Sequence, residues 1–591
     1  MTTFSVWAPS ATQRVDLVLP GERRRLEMAP DGRAGWWSVA VPEAGPAADY
    51  QFSLDGGPAL PDPRSEFQPE GVHGPSRLVD HGAFGWTDHL WRGAAPLSGA
   101  LIYEAHVGTF TPEGTFDAAI AQLPHLVELG VTHLELLPVA EFPGGRGWGY
   151  DGVDLFAPHH AYGGPDGLKR LVDATHAAGL GVILDVVYNH LGPDGNYLGA
   201  YGPYFTDRYS TPWGEAVNYD GAGSVEVRNF VCDNAVHWLE HYHVDGLRLD
   251  AVHAIFDTSA IHILEEMARR VATLGARLGR RKFLIAESDL NDPRLVRAPE
   301  AGGFGLDAAW SDDFHHALHS ALTGETTGYY EDFGGLEPLG RALERGYVYA
   351  GGYSPHRRRR HGRPLTGVPA SRLLGYLQNH DQVGNRATGE RSSALMSTGR
   401  LHIAAALVLC APFVPMLFQG EEWGASTPFQ YFTDHIDPEL GRLVSEGRRR
   451  EFAAFGWKPE DVPDPQDPAT FERSVLDWAE LDKEPHAELL EWHRALIALR
   501  RRLPELSDGD FDEVQPAWDE DAGWFRLARG PITVACNLAG RAQPVPLPEG
   551  PAVILLASDR AASLTGAAVV LPPDSVAVLG PPEAGDPGAA A

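Results

Sequence analysis

Hydrophobic and polar positions alternate with two different patterns along this chain. In about the first 90 residues, short runs rich in β-branched and aromatic residues are separated by Gly, Pro and Asp turn signals; the runs lie at 15–19, 36–39 and 50–54. Strands at this spacing are typical of a small antiparallel sandwich. We therefore predict an N-terminal immunoglobulin-like β-sandwich over residues 1–92.

From residue 101 the apolar runs become short and nearly continuous, as in strands that are buried on both faces. Helical patterns fall between them, for example at 167–178 and 225–243. The runs lie at 101–107, 132–137, 181–187, 246–249, 282–286, 306–310, 373–377 and 414–418. Eight strands that alternate with helices predict a (β/α)8 TIM barrel over residues 93–506, with a short insert after the third strand.

The last part of the chain changes pattern again. A helix predicted at 486–502 closes the barrel, and β-type runs follow at 523–528, 532–537, 552–556 and 575–579. These runs predict a C-terminal β-sandwich over 507–591, and the Pro-, Gly- and Ala-rich stretch at 581–591 predicts a disordered tail. The predicted fold class is therefore α/β, a TIM barrel flanked by two β-sandwiches.

Composition narrows the class of protein. An apolar fraction of 43% with 15 Trp and 24 Phe supplies well-packed cores. A formal charge of −32 repels phosphate backbones and anionic membranes, so we expect neither nucleic acid nor a membrane as a partner. Three widely spaced Cys residues fit free thiols in a reducing compartment. No signal-peptide pattern and no bilayer-length apolar run occur, so we expect a cytoplasmic monomer.

Acidic residues stand at the ends of four predicted strands. Asp185 ends the third run, Asp250 and Glu287 directly follow the fourth and fifth, and Asp381 follows the seventh. Chemistry in such a barrel gathers where strands end at the carboxyl face. The four carboxylates should therefore point into one shared cavity.

This arrangement meets the needs of glycoside cleavage with retention, in which one carboxylate attacks the anomeric carbon and another protonates the leaving oxygen. Arg248 lies two residues before Asp250, hence on the same face of the strand, and can keep Asp250 ionised. Glu287 leaves an apolar strand, which favours the raised pKa of a general acid. Asp381 can hold sugar hydroxyls and favour a cationic transition state.

Four segments resemble, in order, the signature regions of the α-amylase superfamily. They are Asp-Val-Val-Tyr-Asn-His at 185–190, Gly-Leu-Arg-Leu-Asp-Ala-Val-His at 246–253, Ile-Ala-Glu-Ser at 285–288 and Asn-His-Asp at 379–381, with Trp-Gly-Tyr-Asp at 148–151. The resemblance implies a retaining α-glycosidase with Asp250 as nucleophile, Glu287 as proton donor and Asp381 as transition-state stabiliser. It also implies a subsite for the attacked glucose that is shaped by Tyr150, His190, Arg248 and His380.

Three further segments, at 141–153, 307–316 and 378–386, resemble the maltooligosyltrehalose trehalohydrolase family, and that similarity spans essentially the whole chain. It implies hydrolysis of the α-1,4 bond next to a terminal trehalose, with release of trehalose and a maltooligosaccharide. The expected partners are therefore maltooligosyl trehalose and related α-glucans.

The leaving-group side has to recognise the trehalose unit, and buried hydrogen-bonding groups can discriminate strongly between sugars. The candidates lie in loops after the fourth, sixth and seventh strands: His253, Trp310, Asp312, Asp313, Gln382, Asn385 and Arg386. For Asp313 and Arg386, bracing of the loops is an equally favoured interpretation, because loop charges usually pair or face water.

Two other functions fit parts of the pattern. A glycogen branching enzyme shares the sandwich, the barrel and the three acids, although Gln382 stands where branching enzymes typically carry Glu after the His-Asp pair. A catalytically inactive amylase-like binding protein would typically lose one of the acids, and all three are retained here.

Three other signals point to no additional chemistry. The basic run at 356–363 is too short and isolated for nucleic acid, and we expect a solvated loop at the rim of the site. The imidazoles of His315 and His319, and of His241 and His243, lack an obvious third ligand. Asn189 stands where superfamily members place a calcium ligand, but partner acids are not identifiable. We predict neither a required metal nor a cofactor.

Overall fold

A computed structural model describes residues 2–42, 44–45, 47–453, 457–550 and 552–585. All eight predicted barrel strands form, and they close into a parallel barrel in which the first pairs with both the second and the eighth. The strands are β1 Ile102–Ala105, β2 His133–Leu136, β3 Gly181–Val186, β4 Gly246–Leu249, β5 Phe283–Ala286, β6 Ala308–Trp310, β7 Leu373–Gly375 and β8 Val414–Phe418. The fold class predicted from the hydrophobic pattern is confirmed.

The α-helices of the described residues surround this barrel and its loops. They are α1 Val107–Phe110, α2 Phe116–Ile120, α3 Leu123–Leu129, α4 Gly164–Ala177, α5 Leu198–Tyr201, α6 Ser224–His241, α7 Ile263–Leu278, α8 Asp312–Thr323, α9 Glu337–Arg345, α10 His380–Gly384, α11 Ser392–Leu395, α12 Thr398–Leu409, α13 Pro438–Ala453, α14 Pro468–Ser474 and α15 His486–Arg502. Helix α15 packs between α12 and α3, so it closes the ring of helices beside β8 and β1, as its sequence predicted.

Large side chains fill the barrel, which makes it a packed core rather than a pore. Ile102, Ile183, Ile285 and Met416 point inward and are fully buried. At the start of β4 the chain requires glycine, because a Cβ at Gly246 would lie 2.1 Å from the ring of Phe283 on the next strand. Close packing at this end holds the strands in register, and the loops at the other end carry the polar residues.

The N-terminal region forms two antiparallel sheets, as predicted. One sheet contains Thr2–Trp7, Trp36–Val41 and Ala29–Pro30; the other contains Arg24–Glu27, Val15–Leu19, Asp49–Leu54, Ala59–Leu60 and Ser76–Arg77. Phe4, Leu17 and Phe52 lie buried between them.

The C-terminal region also forms two sheets. They contain Val514–Asp519, Trp524–Arg529, Ile532–Asn537, Ser575–Gly580 and Val553–Ala557 in one, and Gln543–Pro546, Ala568–Leu571 and Ser563–Thr565 in the other. Pro582–Gly585 forms a 3-10 helix against Val553–Ala557, so this part of the predicted tail is ordered. Residues 586–591 of that tail lie outside the described residues.

Two hairpins extend the barrel on the side where the strands end. Ala140–Glu141 pairs with Asp154–Pro158 after β2, and Phe205–Thr211 pairs with Gly214–Val217 after β3. The first encloses the loop that carries Tyr150, and Trp213 lies at the tip of the second.

The three Cys residues are buried and free. In the described part of the chain, no helix combines the length and the apolar character needed to cross a membrane.

A buried ion cluster ties the segment before β1 to the opposite end of the barrel. The His176 ring contacts Asp88 through Nδ1 at 3.0 Å and Asp245 through Nε2 at 2.9 Å. The Trp91 ring stacks on that imidazole at 4.5 Å, and its Nε1 donates to Asp245. Burial disfavours the imidazolium, but the hydrogen bonds to Asp245 and Asp88 outweigh it and raise the pKa of His176.

We expect His176→Gln to reduce the free energy of unfolding by about 3–5 kcal/mol below pH 6.5, because two buried carboxylates lose their shared cation. A raised folded-state pKa means that this contribution is complete below the unfolded value and is lost as pH rises through the folded value. Thermal unfolding at fixed scan rate from pH 5.5 to 9 should show the loss shrinking with pH. The exposed neighbour variant His89→Gln is the control, and equal unfolding temperatures for both variants would contradict the assignment.

Candidate active site

One guanidinium joins three carboxylates at the carboxyl end of the barrel. Arg248 is fully buried, and its Nη1 contacts the two Asp185 oxygens at 2.9 and 2.7 Å and Asp250 Oδ1 at 2.7 Å. Its Nη2 lies 3.4 Å from Glu287 Oε2. The strand ends therefore bring Asp185, Asp250 and Glu287 together around one cation, as the sequence predicted.

Asp250 is fixed from both sides. Arg248 holds one carboxylate oxygen, and Asn189 Nδ2 donates to the other at 2.7 Å and to the Asp250 carbonyl at 2.9 Å. The sequence suggested Asn189 only as a position used for calcium in relatives. Here its amide instead orients the carboxylate of Asp250, a residue that is 8% exposed.

Glu287 is arranged to hold a proton. Burial is the largest effect, and it raises the pKa of this carboxyl well above its usual range. The positive charge of Arg248 opposes the rise, whereas the negative charges of Asp250 and Asp381 add to it. The rise in pKa favours the protonated carboxyl, the state that a general acid needs.

The backbone at Ala251 links these two carboxylates. Ala251 lies in the left-handed region with φ 39°, and its N–H donates to Glu287 Oε2 at 2.5 Å. A non-glycine residue in this conformation costs about 1–3 kcal/mol, which the surrounding structure has to offset. The strained turn at Ala251, the residue after Asp250, directs this N–H toward Glu287. No local pattern in the sequence indicates this hydrogen bond.

A relay of hydrogen bonds runs across the floor of the site. The Tyr150 hydroxyl donates to Asp185 Oδ2 at 2.6 Å and lies 2.8 Å from His380 Nε2. His380 Nδ1 lies 2.6 Å from Glu104 Oε1 on β1. Burial alone would lower the pKa of His380, but Asp381 and Glu104 outweigh it and raise it to about 9.

His380 is therefore an imidazolium at neutral pH, with a proton on each ring nitrogen. Glu104 was not predicted from the sequence, although its position as an acid inside the first apolar run could have indicated it. A charged residue in a strand buried on both faces needs a partner, and here the partner is the His380 imidazolium.

His190 lies beside this relay. It is 7% exposed, its Nε2 lies 3.1 Å from the Tyr150 carbonyl, and its ring stacks at 4.5 Å on Trp213. Burial lowers the pKa of His190, so the ring is neutral. Trp213, half exposed at the tip of a hairpin, was not singled out in the sequence.

At the end of β6 and in the loop after it, Trp310 and Asp312 make contacts with other side chains that the sequence did not indicate. Trp310 is only 2% exposed, and its ring lies 4.3 Å from the Arg248 guanidinium, so it supports Arg248 from beneath rather than facing a sugar. Asp312 accepts a hydrogen bond from the Tyr376 hydroxyl at 2.5 Å, and burial raises its pKa to about 6. Asp312 lies near enough to Glu287 to affect the pKa of that residue.

Asp313 braces a loop. Its Oδ2 accepts hydrogen bonds from Asn291 Nδ2 and from the backbone N–H groups of Val348 and Tyr349, at 2.8 to 2.9 Å. Of the two interpretations of this residue, the structural one holds.

Arg386 forms an ion pair and also lines a cavity. Its Nη1 donates to Glu325 at 2.9 Å, and it lines a cavity of about 280 Å³ together with Tyr329, Asn385 and Trp457. Asn385 connects this cavity to the acids at the strand ends, because its Nδ2 donates to Asp381 Oδ1 at 3.2 Å.

Two other candidates lie at the edge of the site. Gln382 is half-buried, and its backbone N–H donates to Asn379 Oδ1, which caps α10. His253 is exposed and lies close enough to Asp289 and Asp312 to affect the pKa of both carboxyls. Both side chains remain available to a ligand.

The basic run joins the rim of the site. Arg357 pairs with Asp289 at 2.8 Å, and His361 Nε2 lies 2.7 Å from the carbonyl of Asp289, two residues after Glu287. His315 Nε2 lies 3.1 Å from the Tyr330 hydroxyl, and His319 Nε2 lies 2.8 Å from Glu325 Oε2.

Family models match three parts of the chain. They are the alpha amylase catalytic domain at residues 79–202, carbohydrate-binding module 48 (isoamylase N-terminal domain) at 1–64 and a domain of unknown function, DUF3459, at 509–578. The order agrees with the sandwich, barrel and second sandwich of the fold.

Full-length relatives are similar over almost the whole chain. Malto-oligosyltrehalose trehalohydrolase of Rhizobium sp. (strain M-11) is 52% identical over 98% of this chain and 97% of its own. The enzyme of the same name from Arthrobacter ramosus is 53% identical over 95% and 97%. A crystal structure of an α-amylase-type protein from Salmonella typhimurium superposes with a TM-score of 0.88 at 40% identity, covering 98% and 97% of the two chains.

Proposed function

The chain belongs to the malto-oligosyltrehalose trehalohydrolase family of α-amylase-type glycoside hydrolases, and we propose that it releases trehalose from maltooligosyl trehalose. The bond cleaved is the α-1,4 bond next to the terminal trehalose, and the other product is a maltooligosaccharide. The observation that carries this proposal is the buried Arg248 that joins Asp250 to a Glu287 of raised pKa.

In the first step, an Asp250 oxygen attacks the anomeric carbon of the glucose that is bonded to trehalose. Glu287 gives its proton to the glycosidic oxygen, so trehalose leaves with a neutral hydroxyl. Arg248 and Asn189 hold Asp250 at its two oxygens, which fixes the attacking atom before the substrate binds. A covalent glycosyl–Asp250 intermediate results.

In the second step, the ionised Glu287 takes a proton from water, and the hydroxide oxygen attacks the same carbon. Asp250 leaves as a carboxylate, and the maltooligosaccharide keeps the α configuration because two inversions have occurred. The Ala251 N–H donates to Glu287 and stabilises the ionised state between the two steps.

The remaining groups act on the sugar whose bond breaks. Asp381 is placed to bind hydroxyls and to offset positive charge that develops on the ring. His380 is charged and can share its Nε2 proton with a hydroxyl, and Tyr150 offers a ring face for stacking. Neutral His190 completes this subsite.

On the leaving-group side, we propose that Asp312, Gln382, Asn385, Arg386 and His253 contact the trehalose unit. Asn385 and Arg386 line a cavity next to Asp381, and Asp312 lies close enough to Asp381 and His253 for their charges to affect its pKa. A sugar that leaves the half-buried donors and acceptors among these residues unpaired binds more weakly. Trp310 acts through Arg248 in this arrangement.

Product analysis tests the proposal. Maltopentaosyl trehalose should yield free trehalose rapidly, and plain maltohexaose should be cleaved at least about 10-fold more slowly, since it lacks the trehalose unit that the cavity binds. Chromatography of timed digests measures both reactions. Equal rates would overturn the substrate assignment and leave a general amylase.

A second candidate, glycogen branching, rests on a partial relative. The branching enzyme GlgB of Rubrobacter xylanophilus is 34% identical over 53% of this chain and 49% of its own. Incubation with amylose distinguishes the two functions, because only a branching enzyme forms new α-1,6 linkages.

A further inference from the structure

Away from the candidate active site, three ligand-type side chains meet where the N-terminal region contacts α6. Glu66 lies in the loop before the strand Ser76–Arg77, His81 follows that strand, and His237 lies on α6. Suitable ligand atoms of all three lie within 4.8 Å of one another. Glu66 Oε2 is 3.4 Å from His81 Nε2, and Glu66 Oε1 is 3.9 Å from His237 Nδ1.

His237 turns its Nδ1 toward Glu66. Its Nε2 lies 3.1 Å from the carbonyl oxygen of Phe156, which can only accept, so Nε2 carries a proton. Nδ1 lies 3.9 Å from Glu66 Oε1, which is beyond hydrogen-bonding distance of the carboxylate.

His81 has the same need for a partner. Both of its ring nitrogens are buried, and neither makes a hydrogen bond within the described part of the chain. Its ring stacks on His241 at 4.4 Å and stands at 81° to the ring of His237. One face of the ring is thus covered by His241, and Nε2 is turned toward Glu66.

We propose that Glu66, His81 and His237 bind a divalent first-row metal ion of the Zn²⁺ class. Two imidazoles and one carboxylate are a donor set that Zn²⁺ accepts at about 2.0–2.2 Å, which places tetrahedral ligands roughly 3.3–3.5 Å apart. The distance from Glu66 Oε2 to His81 Nε2 falls in this range, and the other separations, none of which exceeds 4.8 Å, shorten when the ion binds. The carbonyl of Phe156 orients His237 from behind, as outer partners of metal ligands do.

The site has a route from solvent, since the Glu66 side chain is 34% exposed. A bound ion would cross-link residues 66 and 81 to helix α6 and so fasten the N-terminal sandwich to the barrel. Because this junction lies outside the catalytic cavity, the ion stabilises the fold and takes no part in bond cleavage.

A second cluster of the same composition provides a contrast. Glu141 lies against His159 and His160, but His160 already supplies both a ring contact at 2.7 Å and a backbone N–H at 2.8 Å to its two oxygens. The acceptors of Glu141 are thus matched by protons. We therefore place the ion at Glu66 and use the second cluster as a control.

Metal titration of the full chain tests the inference. Protein stripped with a chelator should bind one Zn²⁺ by calorimetry, and Co²⁺ should give the visible absorption bands of a four-coordinate site. His81→Gln and Glu66→Gln should each weaken Zn²⁺ binding at least about 100-fold, since loss of an outer partner alone costs 10–100-fold. His160→Gln should bind as the unchanged protein does.

The unfolding temperature supplies a second readout. Zn²⁺ should raise it for the unchanged protein and for His160→Gln but not for His81→Gln, while trehalose release stays the same with and without the ion. No stoichiometric binding, or equal binding by His81→Gln, overturns the proposal. Neither result bears on the catalytic assignment, because hydrolysis is measured separately.

Discussion

Asp250→Asn is expected to lower kcat by at least about 10⁴-fold, because an amide oxygen cannot form the covalent intermediate. The side chain keeps its size, so the fold should persist. Arg248 and Asn189 both donate to the native carboxylate, and an amide can accept from only one of them without bringing two donors together. A modest fall in unfolding temperature should therefore accompany the loss of activity.

The measurement is the initial rate of trehalose release, with substrate binding followed by calorimetry. Asp313→Asn is a matched control, since Asp313 is also a buried carboxylate near the site but accepts only from loop groups. That variant should lose stability while kcat changes by less than about 10-fold. Asp250 would not be the nucleophile if its Asn variant kept more than about 1% of the activity.

Glu287→Gln is expected to lower kcat/KM for the natural substrate by about 10²–10⁴-fold, the range for loss of general acid catalysis. A maltosyl fluoride needs no protonation of its leaving group, so bond cleavage should be affected far less. The Glu287→Gln variant still lacks the base for the second step. Because azide attacks without a base, it should restore turnover and form a glycosyl azide. The ratio of rates on the two substrates isolates the acid role.

The same residue predicts the pH profile. Burial raises the pKa of Glu287 and so favours the protonated acid, and kcat/KM should fall as pH rises through the raised pKa. On the fluoride with azide, Glu287→Gln should lose this alkaline limb. An unchanged limb in that variant would assign the proton donor to another group.

The sequence by itself determined the barrel and the order of its parts. Strands buried on both faces require continuous apolar runs, so all eight were visible without knowledge of their partners. Asp250 and Glu287 could also be identified as candidates from the sequence, because a residue that directly follows a barrel strand lies at the carboxyl face, where active sites of such barrels form. Local spacing fixed these positions, and Arg248 followed from the two-residue period of a strand.

Only the tertiary structure decided how side chains are partnered. Glu104 reaches His380 across 276 positions of sequence, and a hydrogen bond of that kind depends on which strands become neighbours when the barrel closes. Trp310 lies beneath Arg248, although it looked as available to a sugar as Asp312. Asp313 braces a loop, one of the two interpretations that the sequence left open.

The same limit applies to the cluster of Glu66, His81 and His237, since two of its members precede the barrel and the third lies on α6. The spacing of hydrophobic residues along the chain specifies which helices and strands form and which face of each is buried. The direction of a polar side chain is set instead by atoms that packing brings from elsewhere in the chain, so its chemistry is decided only in the folded state.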